Sequence, residues 1–105
     1  MKKEIDNKTL FFSKRLRERL GNHIQQLVLF GSRARGDAEE GSDYDFMVVV
    51  DSEESDLKEK VLDTEVEFLN TFDELSACII YDEKGWEWRK NSPLGINIAR
   101  EGIAL

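Results

Sequence analysis

Three apolar runs of strand length alternate with segments of helical periodicity along this chain, and that alternation predicts a layered α/β (α+β) domain. The runs are Leu27-Val28-Leu29-Phe30, Phe46-Met47-Val48-Val49-Val50 and the stretch from Leu75 to Tyr81. At 105 residues, with 40% hydrophobic composition and one proline, the chain is expected to form a single globular domain, 1–105, around one modest core.

The elements follow in order. Residues from about 6 to 20 read as an amphipathic helix, because Phe12, Leu16 and Leu20 recur every four residues while Lys14, Arg15, Arg17, Glu18 and Arg19 fill the other faces. Gly21 ends it. A first strand covers about 24–30, a short helical turn follows Ser32, and 37–41 is a polar loop. The second strand covers about 43–50. Ser55 is placed as the cap of a long helix to about residue 73, with Leu57, Val61, Phe68 and Phe72 as its apolar stripe. Leu75 to Tyr81 is the third strand, Asp82 to Gly85 a turn, and Trp86 to Lys90 a short helix. Ser92 caps a last helix that starts on Pro93 and closes at Gly102, leaving 103–105 as a tail.

Charge and composition narrow the function. The formal charge is −7, from 22 acidic and 15 basic residues, which disfavours non-specific binding to nucleic acid. The basic residues concentrate early, with Lys14, Arg15, Arg17, Arg19, Arg33 and Arg35 in the first third. One cysteine, Cys78, allows no intramolecular disulfide, and no run has the length of a membrane span or the pattern of a signal peptide. A soluble cytoplasmic protein is the expectation.

The chemistry concentrates in two places. The run ending at Phe30 feeds into Gly31-Ser32-Arg33-Ala34-Arg35-Gly36, and Ser42-Asp43-Tyr44-Asp45 opens the second strand. Side chains at i and i+2 of a strand share a face, so Asp43 and Asp45 present two carboxylates together while Tyr44 points away. Such a pair suits Mg²⁺, which takes one or two carboxylates and fills its remaining positions with water and substrate phosphates. Gly31 lets backbone approach a phosphate closely, Ser32 adds a hydroxyl donor, and Arg33 and Arg35 offer positive charge in the same turn.

Gly-Ser, ten residues, then Asp-x-Asp resembles the signature of the nucleotidyltransferase superfamily typified by DNA polymerase beta. The fuller string, with Ala34-Arg35-Gly36 and Ser42, is similar to the small members called minimal nucleotidyltransferases, and the ending from Asn91-Ser92-Pro93 to Ile103 looks like the tail of some of them. The resemblance implies a small mixed sheet with helices packed on one side. It also implies a nucleoside triphosphate, ATP foremost, bound with Mg²⁺ in a one- or two-metal site, and transfer of a nucleoside monophosphate to an acceptor hydroxyl with release of pyrophosphate. Asp43 and Asp45 would be the catalytic and metal-binding residues; Gly31, Ser32, Arg33 and Arg35 would bind the nucleotide. In the family a third carboxylate usually lies on the strand after the long helix, but residues 75–81 contain no acid. An alternative is therefore a catalytically impaired, antitoxin-like nucleotide-binding module acting with a HEPN-type helical partner, or with a second copy of the chain.

Plainer roles compete at several positions. Arg33 and Arg35 are equally suited to surface ion pairs with Asp37, Glu39 or Glu40. His23 at the entry to the first strand reads as structural, Cys78 as a buried inert thiol, and only one of Trp86 and Trp88 as core. A phosphatase-like nucleophile role for Asp43-Tyr44-Asp45 would leave Gly31-Ser32 unexplained.

Overall fold

The structure, a computed structural model, describes residues 5–52 and 54–105. Residues 1–4 and 53 of the expected 1–105 domain lie outside the described residues.

Helix α1, Asn7–Leu20, starts where the Asp6 carboxylate accepts a hydrogen bond from the Thr9 N–H at 2.8 Å. It buries Phe12, Leu16 and Leu20 and ends at Gly21, which has φ +58°. A 3₁₀ turn, Gly21–His23, leads into strand β1, Ile24–Phe30. The short helix α2, Ser32–Arg35, follows Gly31, and strand β2 runs Tyr44–Val50. Helix α3, Ser55–Phe72, crosses over to β3, Ser76–Asp82, which pairs parallel with β2. Helices α4, Glu83–Arg89, and α5, Pro93–Glu101, then bring the chain to β4, Ile103–Ala104.

The sheet order is β3-β2-β1-β4, with β1 antiparallel to both β2 and β4. This is the small mixed sheet that the fold reading implied. Alternation along β2 divides the interior in two. Tyr44, Phe46, Val48 and Val50 join α1 and α3 in the main core, where the Phe12 and Phe46 rings stack at 3.9 Å and Phe68 meets Phe12 edge-on at 5.8 Å. Met47 and Val49 face the other way and pack with Phe30, Ile98 of α5 and Trp86 of α4. The two long helices thus cover one face, and the two short ones a smaller patch of the other.

Three boundaries differ from the sequence reading, each for a local reason. Ser55 is the first helical residue of α3, and Glu54 in the cap position makes no side-chain bond. Helix α4 starts at Glu83 because the Asp82 carboxylate accepts the Gly85 N–H at 2.6 Å, turning an expected loop into a capped first turn. Residues 103–104 form an edge strand on β1. The other assignments match to within a residue, with β3 shifted by one from the expected 75–81 so that Asp82 ends it, and Ser92 caps α5 through the Gly95 N–H, with Pro93 in its first turn. His23 is exposed and pairs with Asp51 at 2.9 Å, and Trp86 packs on Tyr81 while Trp88 is 83% exposed.

Across the main core, Arg15 binds Glu67 of α3 through Nε and Nη2, both at 2.9 Å, and Arg19 reaches Glu67 at 2.8 Å and Thr64 at 3.1 Å. These pairs orient α1 on α3 but lie near the surface, where ion pairs contribute little stability.

Asp6 has a second bond besides the cap: the buried Tyr44 hydroxyl donates to its other carboxylate oxygen. Partial burial pushes the Asp6 carboxyl up, but the Tyr44 and Thr9 hydrogen bonds outweigh it and leave the group below its ordinary value. A depressed carboxylate contributes stability above its unfolded pKa and loses it as pH falls through the folded one. Asp6→Ala is therefore expected to cost about 1–2 kcal/mol at neutral pH, by loss of the cap and of the Tyr44 partner. Urea denaturation at pH 7 and pH 3 checks this, with a smaller difference between wild type and variant at the acid pH.

Candidate functional site

Antiparallel pairing places Phe30, the last residue of β1, opposite Asp45 on β2. The chain leaves β1 at Gly31 with φ +76° and ψ −161°, a conformation open to glycine and strained for other residues. A Cβ built at Gly31 would lie 2.4 Å from Oδ2 of Asp45. The Gly-Ser turn and the second aspartate are therefore in direct contact. Both ends of α2 are set by positive-φ glycines, Gly31 before it and Gly36, at φ +88°, after it.

Asp43 and Asp45 share a neighbourhood. Desolvation raises the Asp45 carboxyl above its ordinary range, the Asp43 charge raises it further, and Arg35 opposes both. Asp43 is exposed and Asp45 half-buried. Two like charges held close, one of them partly desolvated, form a site that gains from a cation. Among the described residues no group of three or more His, Cys, Asp or Glu side chains converges as a metal cage.

The two arginines of the turn diverge. Arg35 donates to Asp37 at 3.1 Å and to both carboxylate oxygens of Glu101 at 3.1 Å, and its charge is felt at Asp45. Arg33 turns to the opposite face. Its Nε and Nη2 donate to the Ser42 carbonyl at 3.2 and 2.9 Å, and its guanidinium lies 4.4 Å from the centroid of the Tyr44 ring. Glu74 lies 3.8 Å from the same guanidinium and pairs with Lys8 at 2.9 Å.

No acid stands beside Asp45 on β3: its partner in the register is Ala77. Glu74, just before that strand, faces Lys8 and Arg33, and Asp82, its last residue, pairs with Val50 at the far end, where it caps α4. Cys78 also stays out of the chemistry, since burial and the nearby Glu65 push its thiol well above the ordinary value.

The sequence reading turned Tyr44 away from the acids and included Ser42 in the motif, but it missed the contacts of both with Arg33, and it missed Asp6 and Glu101 altogether. For Tyr44 a signal existed: a residue between two outward acids on a buried strand must point into the core. The 38-residue separation from Asp6 left no local trace of that bond.

Residues 12–92 match the family model of the nucleotidyltransferase domain. Among curated proteins none matches significantly. Several solved structures share the fold. A toxin–antitoxin complex with AMP-PNP contains a chain superposing with TM-score 0.67 at 15% identity, over 94% of this chain and 72% of that one. A mutant toxin–antitoxin complex MntA-HpeT gives TM-score 0.68 at 16% identity, over 94% and 72% of the two chains. A complex of tri-AMPylated Shewanella oneidensis HEPN toxin with MNT antitoxin gives 0.57 at 15%, over 92% and 70%. With the family model spanning most of its length, from the main-core Phe12 of α1 to the Ser92 cap of α5, this chain belongs to the nucleotidyltransferase domain family.

Proposed function

We propose that this chain binds a nucleoside triphosphate, ATP foremost, together with Mg²⁺, and transfers its nucleoside monophosphate to an acceptor hydroxyl on a HEPN-type partner. The observation that carries the reading is the contact between the Gly31 backbone and the Asp45 carboxylate, which supports taking the turn and the paired acids as one site. The donor set fits magnesium: two hard carboxylate oxygens, one of them raised by desolvation and by its neighbour, gain from a divalent cation. Asp43 and Asp45 would hold the ion, whose charge, when bound, neutralises the attacking and departing oxygens.

The chain's own groups do the remainder. Gly31 admits the triphosphate close to the backbone, and the Ser32 hydroxyl donates to a phosphate oxygen. Arg35 exchanges a carboxylate partner for phosphate, a guanidinium being suited to either. The acceptor oxygen forms its bond to the α-phosphorus in line as the bond to the β-phosphate bridging oxygen breaks. Pyrophosphate departs, and the acceptor proton is lost to water. The likeness in fold to antitoxin complexes, one holding AMP-PNP and another a tri-AMPylated HEPN toxin, supports this choice of nucleotide and partner.

Ala77 beside Asp45 favours a second reading, in which the chain binds nucleotide and partner without turnover. Calorimetry with ATP and Mg²⁺, followed by transfer of labelled nucleotide to candidate partners, separates the two: transfer supports the enzyme, binding alone the module.

Asp43→Asn and Asp45→Asn are each expected to abolish transfer and to weaken Mg²⁺-dependent nucleotide binding; full activity in either variant rules out the assigned roles. Asp45→Asn carries a second expectation. A carboxyl raised in the folded state contributes stability below its unfolded pKa and loses it as pH climbs through the folded value. At pH 7 the ionised Asp45 therefore opposes folding, and the Asn variant should melt higher than wild type without metal. Thermal denaturation in EDTA at pH 7 checks this; a lower melting temperature would contradict it.

A further inference from the structure

Arg33 sits one residue after Ser32 in the phosphate turn, yet its side chain reaches away from the phosphate side. Its two bonds to the Ser42 carbonyl grip the peptide that immediately precedes Asp43. Tyr44, directly between the two acids, is 1% exposed and presents its ring to the same guanidinium at 4.4 Å. The far end of that ring is fixed by its hydroxyl bond to Asp6 at the start of α1. Glu74, just before β3, lies 3.8 Å from the same guanidinium. The Arg33 side chain is only 18% exposed, and the charge felt at Asp45 is that of Arg35.

We infer that Arg33 is a positioning residue that fixes the separation between the Ser32 turn and the Asp43/Asp45 pair by bridging Ser42 and the Tyr44 ring, without touching nucleotide. Only arginine satisfies all of these contacts. A planar fork lets two N–H groups converge on one carbonyl oxygen while the guanidinium sits over an aromatic ring; a lysine ammonium keeps the charge and loses the fork and the plane. The function at stake is distance. In-line transfer requires phosphate and metal ligands to stay in register, and a misplacement of about 1 Å in such a site costs on the order of 10²-fold in rate.

The kinetic arm of the test rests on the proposed nucleotidyl transfer, and a second arm does not. Arg33→Lys and Arg33→Met are compared with Arg35→Lys and with Leu57→Val, a core change at the opposite end of the sheet. Both Arg33 variants are expected to lose about 10- to 100-fold in kcat, with KM for ATP within about 3-fold of wild type. Arg35→Lys shifts mainly KM, and Leu57→Val leaves kcat unchanged at a temperature where it is folded. Near-wild-type kcat in Arg33→Lys with a large loss in Arg33→Met would mean that charge alone matters, and would overturn the inference.

The second arm is ¹⁵N relaxation on the apo protein. Order parameters at the Ser32 and Asp43 amides should fall together in Arg33→Lys while those of β1 and α3 stay as in wild type. Unchanged values at both amides overturn the inference whether or not the wild type transfers nucleotide. Absent transfer in wild type, with the paired loss of order present, overturns the functional reading alone.

Discussion

Gly31→Ala is expected to remove Mg²⁺-dependent nucleotide binding by more than about tenfold while lowering stability by roughly 1–3 kcal/mol, the cost of a non-glycine residue held at this backbone conformation. The larger effect comes from contact. The new methyl carbon would lie 2.4 Å from Oδ2 of Asp45 and 3.3 Å from its Cγ, with Cβ at an ordinary contact of 3.4 Å, so the Asp45 carboxylate has to move to make room. Relief by turning or shifting that side chain takes a carboxylate oxygen out of the position it holds against the turn. Gly36→Ala supplies the control. Gly36 has φ +88° and open space around its Cβ position, so the substitution carries backbone strain without a clash. Calorimetric titration with ATP and Mg²⁺ should find near-normal affinity in Gly36→Ala and a severe loss in Gly31→Ala. Equal affinities in the two would mean that the Gly31–Asp45 contact does not define the site.

The nearness of the turn to the acids was implied by the motif's resemblance to the family, and the antiparallel pairing of β1 with β2, which brings a glycine leaving one strand against acids opening the other, is what the structure adds. Periodicity located α1, β1, β2 and the long helix to within a residue or two, since each buries a regular apolar stripe. What it did not convey was direction and distance. The orientation of Arg33 is set by a ring on another strand and a carbonyl nine residues on, and neither is encoded in the turn itself. The early start of α4 depended on whether Asp82 would cap, and Gly85 masked that signal by reading as a turn residue. Strand β4 has two residues and no apolar pattern of its own; it is ordered by pairing of Val28 with Ala104 and of Leu29 with Ile103. Local propensity is blind to such a partner.

Phe12→Ala is expected to be the most destabilising single change in the chain, at about 3–5 kcal/mol. The ring is fully buried, stacks on Phe46 and meets Phe68 edge-on, so its removal opens a cavity where α1, α3 and β2 converge. Aromatic pairing adds roughly 0.5–1.5 kcal/mol per pair beyond area burial, which places the loss toward the upper end. Against a total of about 5–15 kcal/mol for a domain of this class, the variant is left marginal, with a melting temperature lower by tens of degrees. Urea denaturation should report a much lower midpoint at an unchanged slope. The relation to Gly31→Ala is the informative part. Phe46 adjoins Asp45, but its side chain lies on the opposite face of β2, so the cavity forms behind the strand and leaves the face bearing the acids intact. Below its transition the Phe12 variant should bind ATP and Mg²⁺ with near-normal affinity per folded molecule, whereas Gly31→Ala loses affinity while still folded. A core variant that lost binding in step with the turn variant would mean that the acids are held in place by the whole core; the expected separation means that the turn and the strand end hold them.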